Sequence, residues 1–370
     1  MISSDRNIFR EGSDVRERMR MLGEQVTLSI IVFSQKRSAL RTTKLSDTVT
    51  AYPTNSFSRF LYMRDASNVA RRELTDYPDI DLITAQDPFE TGFVAWRLSR
   101  RFNKKFQLQI HTDLFSPYFV RSLLQMIRVR VARFLLPRAD AIRVVSERIK
   151  ESLKTFRLKI SPEVLPVFVD VQKFASVPVT IDLHKKYRQF SFIILMASRL
   201  SPEKDIPLAL VAVDKIRHHY PKLGLVIVGS GEEKQRLARI VREKNLEENV
   251  VFEHWQDNLT SYFKTADLFL LTSRFEGFAN TLVEAVAAGC PVVSTDVGVA
   301  PLLYPLRHDL YLCPVGDVSC ITQKILNQLN STQSRDDFTL NAKTSLSQIT
   351  VLTRKEYVEQ QARQWQKIIV

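Results

Sequence analysis

Ser273-Arg274-Phe275-Glu276-Gly277-Phe278-Ala279-Asn280-Thr281-Leu282-Val283-Glu284-Ala285 follows the apolar run Leu268–Leu271 and precedes a Gly289-Cys290-Pro291 stop. A short buried strand that feeds a helix through a glycine-bearing loop is the repeating unit of a parallel α/β sheet, whose ligands lie outside the carboxyl ends of the strands. The first N–H groups of a helix opening near Phe278–Thr281 have no intrahelical acceptor, and with the helix dipole they suit an anion such as a diphosphate, held without metal. Gly277 lets the backbone approach such a group closely. Glu276 precedes the helix and Glu284 lies about a turn inside it. Carboxylates are poor anion ligands but good acceptors for hydroxyls, so a molecule with both a diphosphate and sugar hydroxyls suits the stretch. Two glutamates alone would read more plainly as a solvated helix face.

Outward from this stretch the same alternation recurs. Apolar, β-branched runs at Thr27–Phe33, Leu82–Ala85, Phe106–Ile110, Ala141–Val145, Phe192–Met196, Leu225–Val228, Val250–Phe252 and Pro291–Ser294 are separated by helical patterns, which predicts a doubly wound sheet in each half. Two further loops sit at strand ends. Ala197-Ser198-Arg199-Leu200-Ser201-Pro202-Glu203-Lys204-Asp205 offers an Arg fork and a Lys point charge, the usual substitutes for a divalent ion in neutralising a departing diphosphate. Gly229-Ser230-Gly231 is a strand-to-helix turn, and seven of the ten glycines lie between Gly224 and Gly316. The expected organisation is an N-terminal domain over 1–174, a linker over 175–190, a C-terminal domain over 191–350, and a helix over 351–370 that packs back on the first domain. Met1-Ile2-Ser3-Ser4 reads as the end of a first strand whose beginning is clipped, and Ser13 as the cap of the next helix. Asp205 is a second candidate cap, before Pro207.

At 370 residues and 45% hydrophobic, the chain can bury ordinary cores, and ten glycines with fifteen prolines exclude collagen-like or low-complexity structure. No apolar run reaches the roughly 18–20 residues that span a bilayer, so a cytoplasmic protein is expected. Cys290, Cys313 and Cys320 are expected to be reduced, and no metal site is apparent. Residues 1–180 carry 30 Lys and Arg against 19 Asp and Glu, whereas 181–370 carry 23 against 21. The stretch 97–159 alone holds 16 basic and four acidic residues. Such density suits an anionic membrane surface or a phosphorylated acceptor. Nucleic acid is disfavoured, because no zinc, RRM or KH signature accompanies the charge.

Together these residues resemble the family 4 retaining glycosyltransferases, also called glycosyl transferases group 1. Glu276 and Glu284 match the family's Glu-seven-residues-Glu motif, Arg199 and Lys204 its diphosphate clamp, and Gly229-Ser230-Gly231 and Gly289-Cys290-Pro291 fall in the expected order. The likeness covers 191–318 closely and 80–174 more loosely, where Gln109-Ile110-His111-Thr112-Asp113 looks like the family's strand-end His segment. The resemblance implies the GT-B fold, two facing Rossmann-like domains with the donor site in the interdomain cleft. It implies that Arg199 and Lys204 bind the donor diphosphate, Glu276 the transferred sugar, Gly277, Phe278, Ala279, Asn280 and Thr281 the phosphates, and Glu284 the ribose. Gly229, His254 and Trp255 would lie near the nucleotide, although His254 stands where the family commonly has Gly. His111 would face the reacting centre as a catalytic residue with Glu276, Arg199 and Lys204. The implied reaction moves a hexose-like unit from a nucleotide sugar to a hydroxyl acceptor, lipid-linked or otherwise anionic, with retention. No cofactor or divalent metal is implied, and the enzyme would be cytoplasmic or peripheral on the inner membrane face.

Three other readings compete. Asp79-Ile80-Asp81 resembles the metal pair of a GT-A transferase, but it precedes a strand instead of following one. A sugar-nucleotide epimerase shares the architecture and needs no acceptor. A catalytically silent basic adaptor would use the N-terminal charge alone.

Overall fold

The structure is a computed structural model that describes residues 1–256, 258–303, 311–330, 344, 346 and 352–369. It divides into two compact units, Met1–Phe168 with Leu352–Val370, and Val169–Val351.

The first unit is built on an eight-stranded sheet of order β3-β4-β2-β1-β5-β6-β7-β8. Its strands are β1 (Ile2–Ser3), β2 (Leu28–Val32), β3 (Thr43–Ser46), β4 (Val49–Pro53), β5 (Leu82–Ala85), β6 (Lys105–Ile110), β7 (Ala141–Val144) and β8 (Glu163–Val164). All neighbours are parallel except the β3–β4 hairpin. Two-residue β1 sits at the centre, paired to both β2 and β5. The chain runs from β1 to β2 and β4 on one side, then crosses back from β4 to β5 and continues outward on the other. Helix α1 (Asp14–Leu22) leads to β2 on one side, while α2 (Tyr62–Asp76), α3 (Glu90–Phe102) and α4 (Leu123–Leu135) carry the chain successively to β5, β6 and β7 on the other. Right-handed crossovers therefore put α1 on one face of the sheet and α2, α3 and α4 side by side on the opposite face. Ser13 does cap α1, accepting from the Arg16 N–H. Helix α5 (Glu147–Ser152) follows β7.

The C-terminal helix Arg354–Ile369 belongs to this first unit. Its Tyr357, Val358, Ala362 and Trp365 enter the core formed by Met19, Leu22, Ile30 and Val32. At about 1.5–3 kcal/mol for each large side chain buried, this contact is a main support of the α1 face.

The second unit holds a six-stranded parallel sheet, order β11-β10-β9-β12-β13-β14. The strands are β9 (Phe192–Ala197), β10 (Leu223–Val228), β11 (Val250–Glu253), β12 (Leu268–Leu271), β13 (Val292–Thr295) and β14 (Leu312–Cys313). Ile194, Leu225, Ile227, Leu270 and Val293 are all buried, as strands covered on both faces require. Helices α6 (Val171–Ser176), α7 (Leu183–Lys186), α8 (Ile206–Arg217), α9 (Lys234–Glu243), α10 (Leu259–Thr265) and α11 (Asn280–Ala287) connect and cover them, with Val318–Leu329 after β14. Residues 175–190, read from sequence as a linker, are tied to α10: the Thr180 N–H donates to Ser261 Oγ, and Lys264 Nζ donates to the carbonyls of Ala175 and Val177. The boundary expected at 350 lies outside the described residues.

One expectation is corrected. Cys313 and Cys320 form a disulfide, while Cys290 is a buried thiol outside it, its Sγ 3.9 Å from the Ala266 carbonyl. Seven residues apart, the two cysteines are brought together because Asp317 caps the helix Val318–Leu329 and turns the chain back on the end of β14.

Candidate functional site

In the second unit the strand order reverses between β9 and β12, because α8 leads from β9 to one side and α11 leads from β12 to the other. The loops after these neighbouring strands splay apart and leave a crevice, the place where open α/β sheets bind ligands. Both loops are those singled out in the sequence. They are lashed together by the Arg274 N–H on the Glu203 carbonyl at 2.8 Å, Thr272 Oγ1 on the Lys204 carbonyl at 2.8 Å, and the Arg274–Asp205 ion pair at 2.9 Å. Asp205 occupies the position before α8, yet its side chain does not cap that helix; it is spent on Arg274.

Across this junction Lys204 Nζ meets Glu276 Oε1 at 2.5 Å, and the Ser273 hydroxyl donates to the same oxygen at 2.7 Å. Each side chain of the Lys204–Glu276 pair is 14% exposed, so the clasp is reachable from solvent but well screened from it. Arg199 does not converge on it. Its guanidinium is 80% exposed and holds Glu203 at 3.3 Å.

Helix α11 opens at Asn280 after Ala279, which adopts a left-handed φ of 77°. The Leu282 and Val283 N–H groups bond back to the Ala279 carbonyl, while those of Asn280 and Thr281 have no acceptor among the described residues. These two donors, at the positive end of the helix, stand a few residues from the clasp. Phe278 and Ala279 are buried. The Phe278 carbonyl accepts from the Val299 N–H at 3.0 Å and packs against Gly298, where a Cβ would lie 2.6 Å from that oxygen. Glu284 is half-buried inside α11.

Gly229 directly follows β10 with no room for a side chain, since a Cβ there would be 1.9 Å from the Ser198 carbonyl. Its N–H donates to the Glu253 carbonyl, which places it beside the end of β11, where His254 and Trp255 are exposed. The Glu253 carboxylate just below receives Lys186 at 2.7 Å, the Tyr262 hydroxyl at 2.6 Å and the Tyr187 hydroxyl. Burial alone would raise the Glu253 pKa, but these donors outweigh it and hold it below the usual carboxylate value. Both tyrosines are pushed up by burial and by that carboxylate.

The first unit has its own reversal, between β1 and β5. A cavity of about 310 Å³ there is lined by Asp5, Arg18, Gln86, Asp87, His111 and Tyr357, among others. His111 directly follows β6 and reaches Gln109 Oε1 at 3.4 Å. His111 is exposed at the cavity's edge, yet the surrounding protein, then the Arg143 and Arg18 charges, lower its pKa below the ordinary histidine value. Burial pushes the Asp87 carboxyl up. Beneath the cavity Arg143, 2% exposed, donates to Gln109 and to the Tyr357 hydroxyl, and Arg18 lies over the other residue of this contact, the Tyr357 ring, at 5.7 Å. Gln107 joins the set through Thr84 and the Trp365 indole N–H, both at 2.8 Å. Arg18, Gln109, Arg143 and Tyr357 were missed as individual site residues in the sequence. The available signal was the alternation of Gln107 and Gln109 in an otherwise apolar strand, and Arg143 between Ile142 and Val144. Asp79 and Asp81 lie before β5, at the end of the sheet opposite the cavity, so they do not form a site there.

Two Rossmann-like sheets, each with a strand-end site at its reversal, define the GT-B class of fold. Residues 14–173 match the family model described as Glycosyltransferase Family 4, and 183–345 the model described as Glycosyl transferases group 1. The chain belongs to the family 4 glycosyltransferases of the GT-B fold. It is 27% identical over 204 residues to an uncharacterized glycosyltransferase of Methanocaldococcus jannaschii, covering 54% of this chain and 50% of that protein. It is 25% identical over 235 residues to the alpha-monoglucosyldiacylglycerol synthase of Streptococcus pneumoniae, covering 60% and 53%. A third relative is the N-acetylgalactosamine-N,N'-diacetylbacillosaminyl-diphospho-undecaprenol 4-alpha-N-acetylgalactosaminyltransferase of Campylobacter jejuni, 30% identical over 205 residues and 54% and 53% covered. The chain thus spans about half the length of the curated relatives it matches. Among solved structures, sucrose-phosphate synthase from Thermosynechococcus elongatus superimposes with a TM-score of 0.82 at 19% identity, covering 99% of this chain and 98% of that one. Anabaena HepE in complex with UDP-glucose does so with 0.76 at 18%, covering 98% and 99%. Neither the epimerase nor the adaptor reading is favoured by these likenesses.

Proposed function

We propose that this protein is a retaining, metal-independent glycosyltransferase that moves a hexose-like sugar from a nucleoside diphosphate sugar to a hydroxyl acceptor in glycan or glycolipid synthesis. The observation that carries the reading is the Lys204–Glu276 clasp beside the open N–H groups of Asn280 and Thr281. The ammonium and the helix N-terminus meet the charge that develops on the leaving diphosphate, with Arg199 free to swing from Glu203 on its exposed stem. Glu276 takes a sugar hydroxyl, Glu284 the ribose, and Gly229, His254 and Trp255 border the base. Stabilising the leaving group favours an oxocarbenium-like transition state, so no carboxylate need become a covalent nucleophile.

The acceptor hydroxyl enters the first unit's cavity beside His111, whose neutral ring accepts or donates a hydrogen bond according to tautomer. The names of two relatives contain lipids, a monoglucosyldiacylglycerol and a diphospho-undecaprenol, and this supports a lipid-linked acceptor here. The basic stretch 97–159 then serves to hold the protein on an anionic membrane surface, on the cytoplasmic side. No helix of the described residues is long and apolar enough to cross a membrane.

The test is a thermal-shift comparison of UDP, GDP and ADP in EDTA. A nucleotide at about 100 times its dissociation constant adds roughly 2.7 kcal/mol of stability. Stabilisation by one nucleotide, lost in Lys204→Ala, is expected; stabilisation that requires a divalent ion or survives Lys204→Ala would overturn the assignment. The anomeric configuration of the product, read by NMR, tests retention.

A further inference from the structure

The basic stretch 97–159 is not one surface. Arg143 is buried, Arg128 pairs with Glu90 at 2.9 Å, and Lys154 pairs with Glu151 at 2.7 Å. Lys104, Lys105, Arg138 and Lys159 line a separate groove with Asp81 and Asp140, while Arg97, Arg100 and Arg101 join Arg64 and Arg71 on the outward side of the α2, α3 and α4 layer. A groove of about 750 Å³ between α2 and α3 is lined by Arg64, Arg71, Arg97, Arg100 and Arg101. Among the described residues only Arg64 of these five has a carboxylate partner, Asp65 at 3.0 Å. Phe60, 96% exposed, and Phe93 form apolar parts of the same groove.

Helix α4 continues this surface. Val129, Ala132 and Leu135 face inward, and the opposite row runs Leu123, Ile127, Arg130, Phe134. Leu123 is 68% exposed, with Leu124, Met126 and Ile127 exposed beside it, so the first two turns present an apolar face to solvent. That inverts the usual pattern of a surface helix, and it gives way to Arg130 and Arg133 further along. Phe134 packs edge-on against Trp96 at 4.9 Å, and Trp96 contacts Phe93 of the groove at 5.6 Å, so the apolar turns and the arginine groove are joined by a chain of rings.

We propose that this face docks on an anionic bilayer, with the α2–α3 groove seating acidic headgroups and the first two turns of α4 entering the apolar boundary. The inference rests on the membrane-side reading above and deepens it. Guanidinium groups take phosphate oxygens through paired N–H donors, and an apolar strip at their border fits the level just beneath. A protein partner would be expected to offer carboxylates to five arginines and an apolar patch to α4; a bilayer rich in acidic lipid offers both along any line of contact.

Flotation of the whole chain with phosphatidylcholine vesicles, with and without phosphatidylglycerol, tests the proposal. The wild type is expected to float only with phosphatidylglycerol and to be released by salt. L123Q/I127Q is expected to lower partition by about tenfold or more, the loss of two apolar side chains from the boundary. R97Q/R101Q is expected to lower it at low salt and to flatten the salt dependence. Both variants alter exposed residues, and both should keep the wild-type melting temperature and nucleotide response. No flotation of the wild type, or equal flotation with both vesicles, overturns the membrane reading itself. Selective flotation that neither variant reduces leaves that reading standing and overturns this surface. A wild-type dimer that L123Q/I127Q dissolves, with flotation unchanged, assigns the α4 face to a second copy of the chain and likewise overturns it.

Discussion

Replacing Glu276 with Gln separates two roles that the clasp holds together. Lys204 is already neutralised by Glu276 Oε1 at 2.5 Å, so a diphosphate must draw the ammonium away from a carboxylate before it gains the full charge. The pair lies between an exposed ion pair, worth about 0.2–1 kcal/mol, and a buried one whose disruption costs about 3–5 kcal/mol, so about 1–2 kcal/mol of competition is there to be removed. Glu276→Gln keeps an oxygen for the Ser273 hydroxyl but cancels the charge. A nucleoside diphosphate should then bind about 5–30-fold more tightly. Sugar transfer should fall by about 100-fold or more, as when one preorganised polar contact to the reacting group is lost. Isothermal titration of UDP into wild type, Glu276→Gln, Lys204→Ala and the double variant measures the affinities and the coupling between the two residues. The gain should vanish in the Lys204→Ala background. Weaker UDP binding by Glu276→Gln than by wild type would refute the competition, and unchanged transfer would remove Glu276 from the reaction.

Three other perturbations follow from contacts of the second unit. Gly298 has φ +54°, and a Cβ there meets the Phe278 carbonyl at 2.6 Å, so Gly298→Ala should cost about 1 kcal/mol or more and weaken nucleotide binding through the loop before α11; native melting with native affinity would contradict this. Glu253 has its pKa depressed in the folded state, so its contribution is present above the ordinary value of 4.5 and is lost as pH falls through the folded value. The melting temperature of the wild type should therefore drop more steeply below pH 4.5 than that of Glu253→Gln, and parallel acid profiles would show that the carboxylate is not held as described. Reducing Cys313–Cys320 should lower the melting temperature by several degrees, since closing so short a loop restrains the unfolded chain by about 2 kcal/mol; Cys320→Ser should be insensitive to dithiothreitol, and an equally insensitive wild type would argue against the bond.

Elements whose physics is local were legible. Leu82–Ala85, Leu268–Leu271 and the other apolar runs are strands because they are buried on both faces, and Ser13 caps α1 because its hydroxyl needs only the next turn. The β3–β4 hairpin escaped notice because Thr43–Ser46 is a half-exposed edge strand without an apolar run. β14 is two residues long and β8 likewise. At the candidate site the loops after β9 and β12, the turn at Gly229, and the places of Glu276 before α11 and Glu284 inside it were readable, since each depends on a strand end and the helix that follows it. Partner choice was not. Arg199 and Lys204 share one loop and one charge, yet the first rests on Glu203 and the second on Glu276, which lies 72 residues further along the chain. The contact of Arg143 with Tyr357 spans 214 residues, and no local pattern encodes it. Three cysteines make no even disulfide set, and nothing in their spacing encodes the turn capped by Asp317 that brings Cys313 to Cys320.

The helix that returns to the first unit also sets an order of assembly. Residues of the second unit are contiguous and can close as soon as they leave the ribosome, in keeping with domains folding as units during synthesis. The first unit, although its strands are translated earlier, lacks Tyr357 and Trp365 from its core until the chain has passed through the whole second unit. Its cavity is therefore completed after the second unit. Removing Arg354–Ile369 would thus damage the unit whose strands precede the other's in the chain.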